Sequence, residues 1–300
     1  MRTLTPLNKA YIMMHIAIVL YGFTAILGKL IDLPGITIVV YRMGITMLSL
    51  LFIPGAVKVA LSLPPKLRWK IAFIGLLMAV HWVTFFQAIK LSNVSITLSC
   101  LASTALFTSL FEPLFFKRRI QWYEILLAAM VIVGFLFIFN VAGERYWLGM
   151  LVSVVSAITI ALASVINKAV VDEVENVFSI TLIEFIAGVV VLLLVFPIYV
   201  QFFPETPIVP QSGLDWFYLI VLALLCTTLA YSLTMMALRH VSAYTTTLSI
   251  NLEPIYGMLM AAFLFQENEE LGGRFYIGAA IILASVVLHP LLKRLSKREV

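Results

Sequence analysis

Residues 87–112 read QAIKLSNVSITLSCLASTALFTSLFE, and residues 236–261 read MALRHVSAYTTTLSINLEPIYGMLMA. Both stretches share the frame A-[IL]-[KR], followed seven positions after the basic residue by a threonine. The aligned pairs lie a constant 149 residues apart: Ala88 with Ala237, Lys90 with Arg239, and Thr97 with Thr246. Because this offset is half of a 300-residue chain, we interpret the sequence as two copies of one unit.

The composition of the chain is that of a membrane protein. Apolar residues make up 62% of it and charged residues only 12%, and its mean hydropathy is +1.07. A soluble domain carries about 25% charged residues, so this chain has too little polar surface to face water. The net charge of +5 comes from basic residues scattered between the apolar stretches. That distribution suits anionic lipids and membrane orientation, and we expect no nucleic-acid partner.

Ten apolar stretches have the length of a membrane span. A helix needs roughly 20 residues to cross a hydrocarbon core of ~30 Å, and the stretches are separated by turn-forming or polar segments. They cover residues 11–30, 36–55, 70–89, 93–116, 122–140, 147–167, 178–200, 216–237, 242–265 and 274–292. The sequence therefore predicts an all-α polytopic membrane protein with ten transmembrane helices.

The distribution of basic residues predicts the orientation. With the N-terminus inside, 15 of the 20 Lys and Arg residues fall on the inner side. Four fall outside, Lys29, Lys90, Arg145 and Arg274, and Arg42 lies within a span. Basic loops stay cytoplasmic, so we predict a multi-pass protein of the cell inner (plasma) membrane with both termini in the cytoplasm. The basic start of the chain lacks a cleavage site before a polar domain, so we interpret residues 11–30 as the first membrane helix.

The ten helices divide into two repeats of five, residues 1–145 and 146–300. An odd number of spans per repeat means that the second copy enters the membrane from the opposite side. The halves are then related by a pseudo-two-fold axis in the membrane plane. Such inverted repeats provide two states of similar energy, which is the structural basis of alternating access in transporters.

The second copy of the repeat resembles a known family. Residues 237–267, ALRHVSAYTTTLSINLEPIYGMLMAAFLFQE, are similar to the EamA family of the drug/metabolite transporter superfamily. They keep Ala237-Leu238-Arg239, Glu253-Pro254 and a closing glutamate, Glu267. In the family's closing leucine-glycine-glutamate motif, the glycine is replaced here by Gln266. The resemblance implies a ten-helix secondary transporter and leaves amino acids, metabolites, nucleotide sugars and drugs open as substrates.

The first copy departs further from the family pattern. Phe116-Lys117-Arg118-Arg119 stands where the closing motif would be, and Ala105 aligns with Pro254. The two copies are therefore unequal, and we expect the substrate site where they differ.

Glu253 is the sharpest candidate for a functional residue. A charged group at the centre of a span costs about 2.5–3.5 kcal/mol on insertion scales. Glu253 lies near the middle of the ninth predicted helix and shares a face with Thr246, Ser249 and Tyr256. Pro254 beside it removes a backbone donor and loosens the helix. We predict a substrate site here and assign Glu253 a second role in coupling or gating; the alternative is a glutamate bonded to neighbouring hydroxyls for packing.

Helix 4, the repeat partner of helix 9, places Thr97, Thr104 and Thr108 on one face, with Thr104 aligned to Glu253. These hydroxyls would line the same cavity. The alternative is that they bond carbonyls of their own helix, as threonines often do.

Arg42 in helix 2 and Glu184 in helix 7 occupy equivalent repeat positions. Arg42 would hold a substrate carboxylate or lock an outer gate with its planar guanidinium; the alternative is snorkelling to the headgroups. Glu184 would be a proton-coupling carboxylate, and the alternative is an internal ion pair.

Aromatic side chains in both halves predict the walls of a central pocket. His81-Trp82 in helix 3 aligns with Ala230-Tyr231 in helix 8, and Tyr21 lies near the middle of helix 1. Their rings could stack on a flat substrate, or they could serve only in packing.

The sequence contains no phosphate-binding G-x-x-x-x-G-K-[ST] motif, and its four histidines have no metal-ligand spacing. We expect neither a cofactor nor a metal, and an intramembrane enzyme is therefore disfavoured. We predict a monomeric transporter of the lipid bilayer that exports amino acids or related small metabolites, coupled to a proton gradient. A multidrug or nucleotide-sugar carrier is the alternative.

Overall fold

A computed structural model describes residues 5–117, 122–142, 144–205, 207–242, 246, 249–250 and 252–296. Throughout these ranges the ordered elements are helices. They are α1 (Pro6–Leu30), α2 (Gly35–Leu51), α3 (Ala56–Ser62), α4 (Pro65–Leu91), α5 (Val94–Leu101), α6 (Thr104–Phe116), α7 (Trp122–Ala142), α8 (Trp147–Val171), α9 (Val177–Phe202), α10 (Gly213–Ala223), α11 (Ala230–Leu238), α12 (Glu253–Phe265) and α13 (Glu267–Ser296). A 3₁₀ turn, Glu144–Tyr146, precedes α8, and a π-helical turn, Leu224–Leu229, joins α10 to α11.

The structure is that of a polytopic membrane protein. Six helical stretches in the described part of the chain are long and apolar enough to cross a membrane: Pro6–Leu30, Pro65–Leu91, Val94–Phe116, Glu144–Val171, Val177–Phe202 and Gly213–Leu238. The pair α2 and α3, bent by 95°, makes a seventh if it counts as one span. Three further helices are apolar but shorter: Ala129–Ile138, Glu253–Phe265 and Leu271–Ser285.

The exposed surface of the bundle is apolar, which suits contact with lipid. Phe263 is 87% exposed, Phe52 86% and Leu194 68%, whereas Arg42 and Glu184 are fully buried. Polar groups inside and apolar groups outside is the arrangement expected where the surroundings are hydrocarbon.

The polar breaks seen in the sequence cap the helices. The Thr5 side chain accepts a hydrogen bond from the Asn8 amide at 3.2 Å, ahead of α1. Asn93 does the same for Ile96 at 2.8 Å, ahead of α5. Such caps satisfy amides that have no partner within the helix. The predicted span 36–55 ends early, at Leu51, because Pro54 cannot donate and Gly55 (φ 81°) turns the chain.

The fourth and ninth predicted spans are broken at equivalent positions. α6 begins at Thr104 and α12 begins at Glu253, which are repeat partners. Glu253 is the first residue of a new helix, which agrees with the loosening expected beside Pro254, since proline offers no amide hydrogen. In the first copy, Thr104 donates to the Leu101 carbonyl at 2.6 Å. The neighbouring hydroxyl of Ser103 donates to the Cys100 carbonyl at 2.7 Å.

The same two helices also end alike. α6 is followed by Lys117 (φ 51°) and α12 by Gln266 (φ 56°), again 149 residues apart. They are the non-glycine residues with positive φ in the described part of the chain. The glycine of the family's closing motif falls at this left-handed position, where only glycine is free of strain.

Small residues bring several helices close together. A Cβ on Gly75 of α4 would lie 2.1 Å from the Glu184 carbonyl oxygen of α9. One on Gly134 of α7 would lie 2.9 Å from the Gly278 carbonyl oxygen of α13. In lipid the hydrophobic effect does not drive helices together, so close packing of their backbones stabilises the association of the helices.

Candidate functional site

A cavity of about 100 Å³ lies in the middle of the bundle. A single water needs roughly 10–15 Å³ on this measure, so there is room for several waters or a small solute. Its lining comes from α1, α2, α4, α8 and α11, and from the breaks in the fourth and ninth spans. Seven of the ten residues predicted from the sequence line it: Tyr21, Arg42, His81, Trp82, Thr104, Tyr231 and Glu253. Glu184, Ser249 and Tyr256 lie outside the lining.

Arg42 projects into the interior of the bundle. It is 1% exposed, and its Nε donates to the Thr227 hydroxyl at 2.7 Å. Its guanidinium carbon lies 4.2 Å from the centre of the Trp82 ring, within cation–π range. One terminal nitrogen, Nη1, is buried without a hydrogen-bond partner. The guanidinium therefore does not snorkel, and it retains donor capacity at the cavity.

The partner of Arg42 belongs to an element that the sequence analysis missed. Thr227 lies in the π-helical turn between α10 and α11, and its hydroxyl donates to the Leu222 carbonyl five residues back at 2.7 Å. Thr228 donates to the Ala223 carbonyl at 3.0 Å in the same way. The paired threonines within an apolar span were the available signal. Turns of this kind are frequent at functional sites.

Glu253 lines the cavity from the helix break opposite. It is 8% exposed, and no ion pair within 4.0 Å joins it to Arg42, although both residues are described and both line the cavity. The cavity is therefore lined by one guanidinium and one carboxyl group that do not form an ion pair with each other.

The hydrogen bonds of His81 identify its protonated nitrogen. Nδ1 lies 3.1 Å from the Ser156 carbonyl oxygen and 2.8 Å from the Ser156 hydroxyl. That hydroxyl donates to the His81 carbonyl at 2.9 Å, so it cannot also donate to the ring. Since a carbonyl can only accept, Nδ1 carries the proton and Nε2 is an acceptor.

Both tyrosines have hydrogen-bond partners in the second half of the chain. Thr234 donates to the Ala230 carbonyl at 3.0 Å, so the Tyr21 hydroxyl, 3.0 Å from the Thr234 oxygen, must be the donor between them. The Tyr231 hydroxyl donates to Glu184 Oε2 at 2.8 Å. Glu184 thus meets a tyrosine and not a cation, contrary to the internal ion pair considered above.

Two residues predicted for the substrate site, Tyr256 and Ser249, are not part of the lining. Tyr256 packs on α1, where a Cβ on Gly22 would lie 3.1 Å from the Tyr256 Cβ. Ser249 lies ahead of the break at which Glu253 starts a new helix, so the face expected to join them is interrupted. Among the threonines of the fourth predicted span, Thr108 of α6 donates to the Thr104 carbonyl at 2.9 Å, which is the alternative of bonding within its own helix.

Several lining residues were absent from the sequence prediction. They lie one helical turn from predicted ones: Thr24 from Tyr21, Met78 and Phe85 from His81, and Thr234 from Tyr231. The spacing of three or four residues was the signal that could have found them. The Thr24 hydroxyl is buried without a partner, as is Arg42 Nη1. In the described part of the chain, no group of three or more His, Cys, Asp or Glu side chains could hold a metal ion.

Comparison with known proteins agrees with this architecture. The chain matches the EamA-like transporter family over residues 8–140 and 147–289. A protein of solved crystal structure is similar with a TM-score of 0.67 and 16% identity, over 95% of this chain and 97% of that chain. At that identity the likeness concerns the fold alone. No curated protein matches by sequence. With both stretches covered, the chain belongs to the EamA-like transporter family, within the drug/metabolite transporter superfamily of membrane transporters.

Proposed function

We propose that the protein is a secondary transporter of the plasma membrane that exports amino acids or related small metabolites by alternating access. The observation that carries the proposal is the placement of Arg42 and Glu253 around one buried cavity without an ion pair between them. An amino acid is a zwitterion. Its carboxylate would bind the guanidinium, whose planar fork matches a carboxylate, and its ammonium group would bind Glu253.

The rest of the lining favours an apolar side chain on the substrate. Met78, Phe85, Leu101 and Ile160 present hydrocarbon to the cavity. Ligand sites commonly combine such walls with a few polar groups that fix orientation. A nucleotide sugar fits less well, because its phosphates would meet a single arginine in a cavity of about 100 Å³. A multidrug carrier would not need the buried guanidinium.

The ten-span inverted repeat remains part of this proposal. The six long stretches, the bent pair and the three shorter apolar helices fall at the ten predicted positions. The two regions matched by the family, residues 8–140 and 147–289, support repeats at 1–145 and 146–300.

Contacts between distant residues support the proposed grouping of the connecting segments on the two sides of the membrane. Lys29 binds Glu267 at 2.8 Å, and Asp215 accepts from the Asp32 amide at 3.0 Å. Arg239 donates to the carbonyls of Val174 and Glu175. The first two contacts join segments assigned to the outside, and the third joins segments assigned to the cytoplasm, as both termini are. We also propose that the protein is a monomer in the lipid bilayer, that a proton gradient drives its transport, and that it has no nucleic-acid partner.

Counterflow in proteoliposomes tests the substrate. We expect labelled L-leucine to exchange, and both leucinamide and N-acetyl-leucine to compete at least tenfold more weakly, because each lacks one of the two charges. Glu253→Gln and Arg42→Lys should reduce exchange at least tenfold, with normal amounts of protein in the membrane. The exposed Glu269→Gln and Arg274→Lys are the matched controls. Unaltered exchange in Glu253→Gln, or equal competition by leucinamide, would contradict the proposal.

A further inference from the structure

A second buried carboxylate lies behind the wall of the cavity. Glu184 is 0% exposed and outside the lining, and its Oε2 accepts from the Tyr231 hydroxyl at 2.8 Å. That hydroxyl in turn accepts from Asn167 Nδ2 at 2.8 Å. Tyr231 itself lines the cavity. One side chain therefore connects the substrate site with a carboxylate that the proposed binding of substrate does not use.

This network has two acceptors but lacks a donor. Glu184 Oε1 and Asn167 Oδ1 are both buried without a hydrogen-bond partner. No ion pair within 4.0 Å reaches Glu184 from the described cations. A buried carboxylate without a compensating charge is strongly unfavourable. A proton on Oε1 would remove that charge and provide the missing donor.

A proton suits these groups better than a metal cation. Hard cations take six or more oxygen ligands. Among the side chains of this network, all within the described part of the chain, Glu184 Oε1 and Asn167 Oδ1 are the acceptors without a partner, and the Tyr231 hydroxyl already donates to the carboxylate.

Among the described residues, the neighbouring helices bring no second titratable side chain into contact with Glu184. α4 approaches with the backbone of Gly75, and its Trp82 ring lies 5.3 Å from Phe185. α2 contributes Met43, beside Gly188, while its Arg42 is engaged with Thr227 and Trp82. α8 contributes Asn167. Among the described groups, Tyr231 is the titratable one in contact.

Glu184 and Arg42 occupy equivalent places in the two copies. Arg42 is the eighth residue of α2 (Gly35–Leu51), and Glu184 is the eighth residue of α9 (Val177–Phe202). Arg42 lies over Trp82, and Glu184 bonds Tyr231, the repeat partner of Trp82. In inverted-repeat transporters the two states exchange the roles of the halves. Glu184 would therefore turn toward the cavity when Arg42 turns away.

We infer that Glu184 is the proton-binding site of this transporter and that Tyr231 couples it to the substrate cavity. The inference rests on the proposed function, whose transport cycle it would drive. A proton binds Oε1 from one side of the membrane, neutralises the carboxylate and leaves to the other side after the halves exchange. No covalent bond of the substrate changes.

Infrared spectroscopy of the purified protein tests proton binding without any substrate. We expect a protonated carboxylic acid band near neutral pH that Glu184→Gln removes and that disappears at alkaline pH. Tyr231→Phe should shift the band, because it removes a hydrogen bond. The exposed Glu173→Gln, 52% exposed, should leave it unchanged. If no band depends on Glu184 at any pH, the inference is wrong, whatever the substrate proves to be.

Transport in proteoliposomes tests the coupling. With L-leucine inside and out, we expect a pH gradient to drive accumulation by the unmodified protein and by Glu173→Gln. In Glu184→Gln, accumulation should fall to the level reached without a gradient, while leucine exchange continues; Glu184→Asp should restore part of it. Accumulation that follows a sodium gradient, or that survives in Glu184→Gln, would overturn the inference. Absence of leucine exchange in the unmodified protein would contradict the proposed function, and the infrared result would still decide proton binding.

Discussion

Single side chains show how the two copies of the repeat have diverged. Arg42 carries a guanidinium into the cavity, whereas Glu184, at the same position of its own repeat, lies behind the wall. Thr104 and Glu253 both start a helix at the cavity, but only the second brings a charge. Each mismatch places a different chemical group at a matching place in the fold. A scaffold of two similar halves can in this way bind a substrate with unlike ends.

The left-handed residue Gln266 gives a prediction about stability. A side chain in this conformation costs roughly 1–2 kcal/mol, and Gln266 has φ 56°. We expect Gln266→Gly to raise the free energy of unfolding by up to about 1 kcal/mol, since glycine also gains freedom in the unfolded chain. Thermal unfolding of the purified protein measures the change.

Gln266→Ala is the matched control, because alanine keeps the strain; it should give no gain. Lys117→Gly, at the aligned position (φ 51°), should act in the same direction. A fall in unfolding temperature for both glycine variants would contradict this explanation.

The positions of the helices could be predicted from the local sequence. Whether each span is one unbroken helix could not. The breaks before α1, α4 and α5 were visible as threonine, proline and asparagine. The break ahead of α6 was not, because Ser103 and Thr104 donate to carbonyls three residues back, as hydroxyls within an unbroken helix also do. The π-helical turn at Leu224–Leu229 was not predicted either; Arg42 and Thr46 of α2 donate hydrogen bonds to the Thr227 hydroxyl and the Ala223 carbonyl.

The packing of α4 on α9 gives a prediction about assembly. A Cβ at Gly75 would lie 2.1 Å from the Glu184 carbonyl oxygen, so Gly75→Ala must push the helices apart. We expect a loss of about 1–3 kcal/mol, typical of an overpacked core, together with weaker binding of Tyr231 by Glu184. Thermal unfolding and the amount of folded protein in the membrane measure it.

Gly44→Ala is the control, since Gly44 lies within α2 and a Cβ there meets nothing within 4 Å. Alanine is the better helix former by about 1 kcal/mol, so this variant should be stabilised. Equal behaviour of the two variants would show that close approach at Gly75 does not matter.

The orientation of the molecule in the membrane can be tested in cells. Both natural cysteines are buried, Cys100 at 0% and Cys226 at 1% exposure, so they need not be removed. We expect a membrane-impermeant thiol reagent to label Pro207→Cys from outside intact cells. Lys66→Cys should be labelled only after the membrane is permeabilised. The opposite labelling pattern would show that the proposed orientation is reversed. Labelling of both cysteine variants from outside would contradict the odd number of spans proposed between residues 66 and 207.

The sequence was sufficient to predict a helical membrane protein of the EamA-like family, and the family match confirms that prediction. In hydrocarbon each helix must bond its own backbone groups, so the spans can be recognised from local composition. The rotation of each helix cannot, because it depends on packing between segments that are distant in the sequence. Only the folded bundle brings Arg42 to Thr227 and Glu184 to Tyr231. It also leaves Tyr256 out of the lining of the cavity that Glu253 lines.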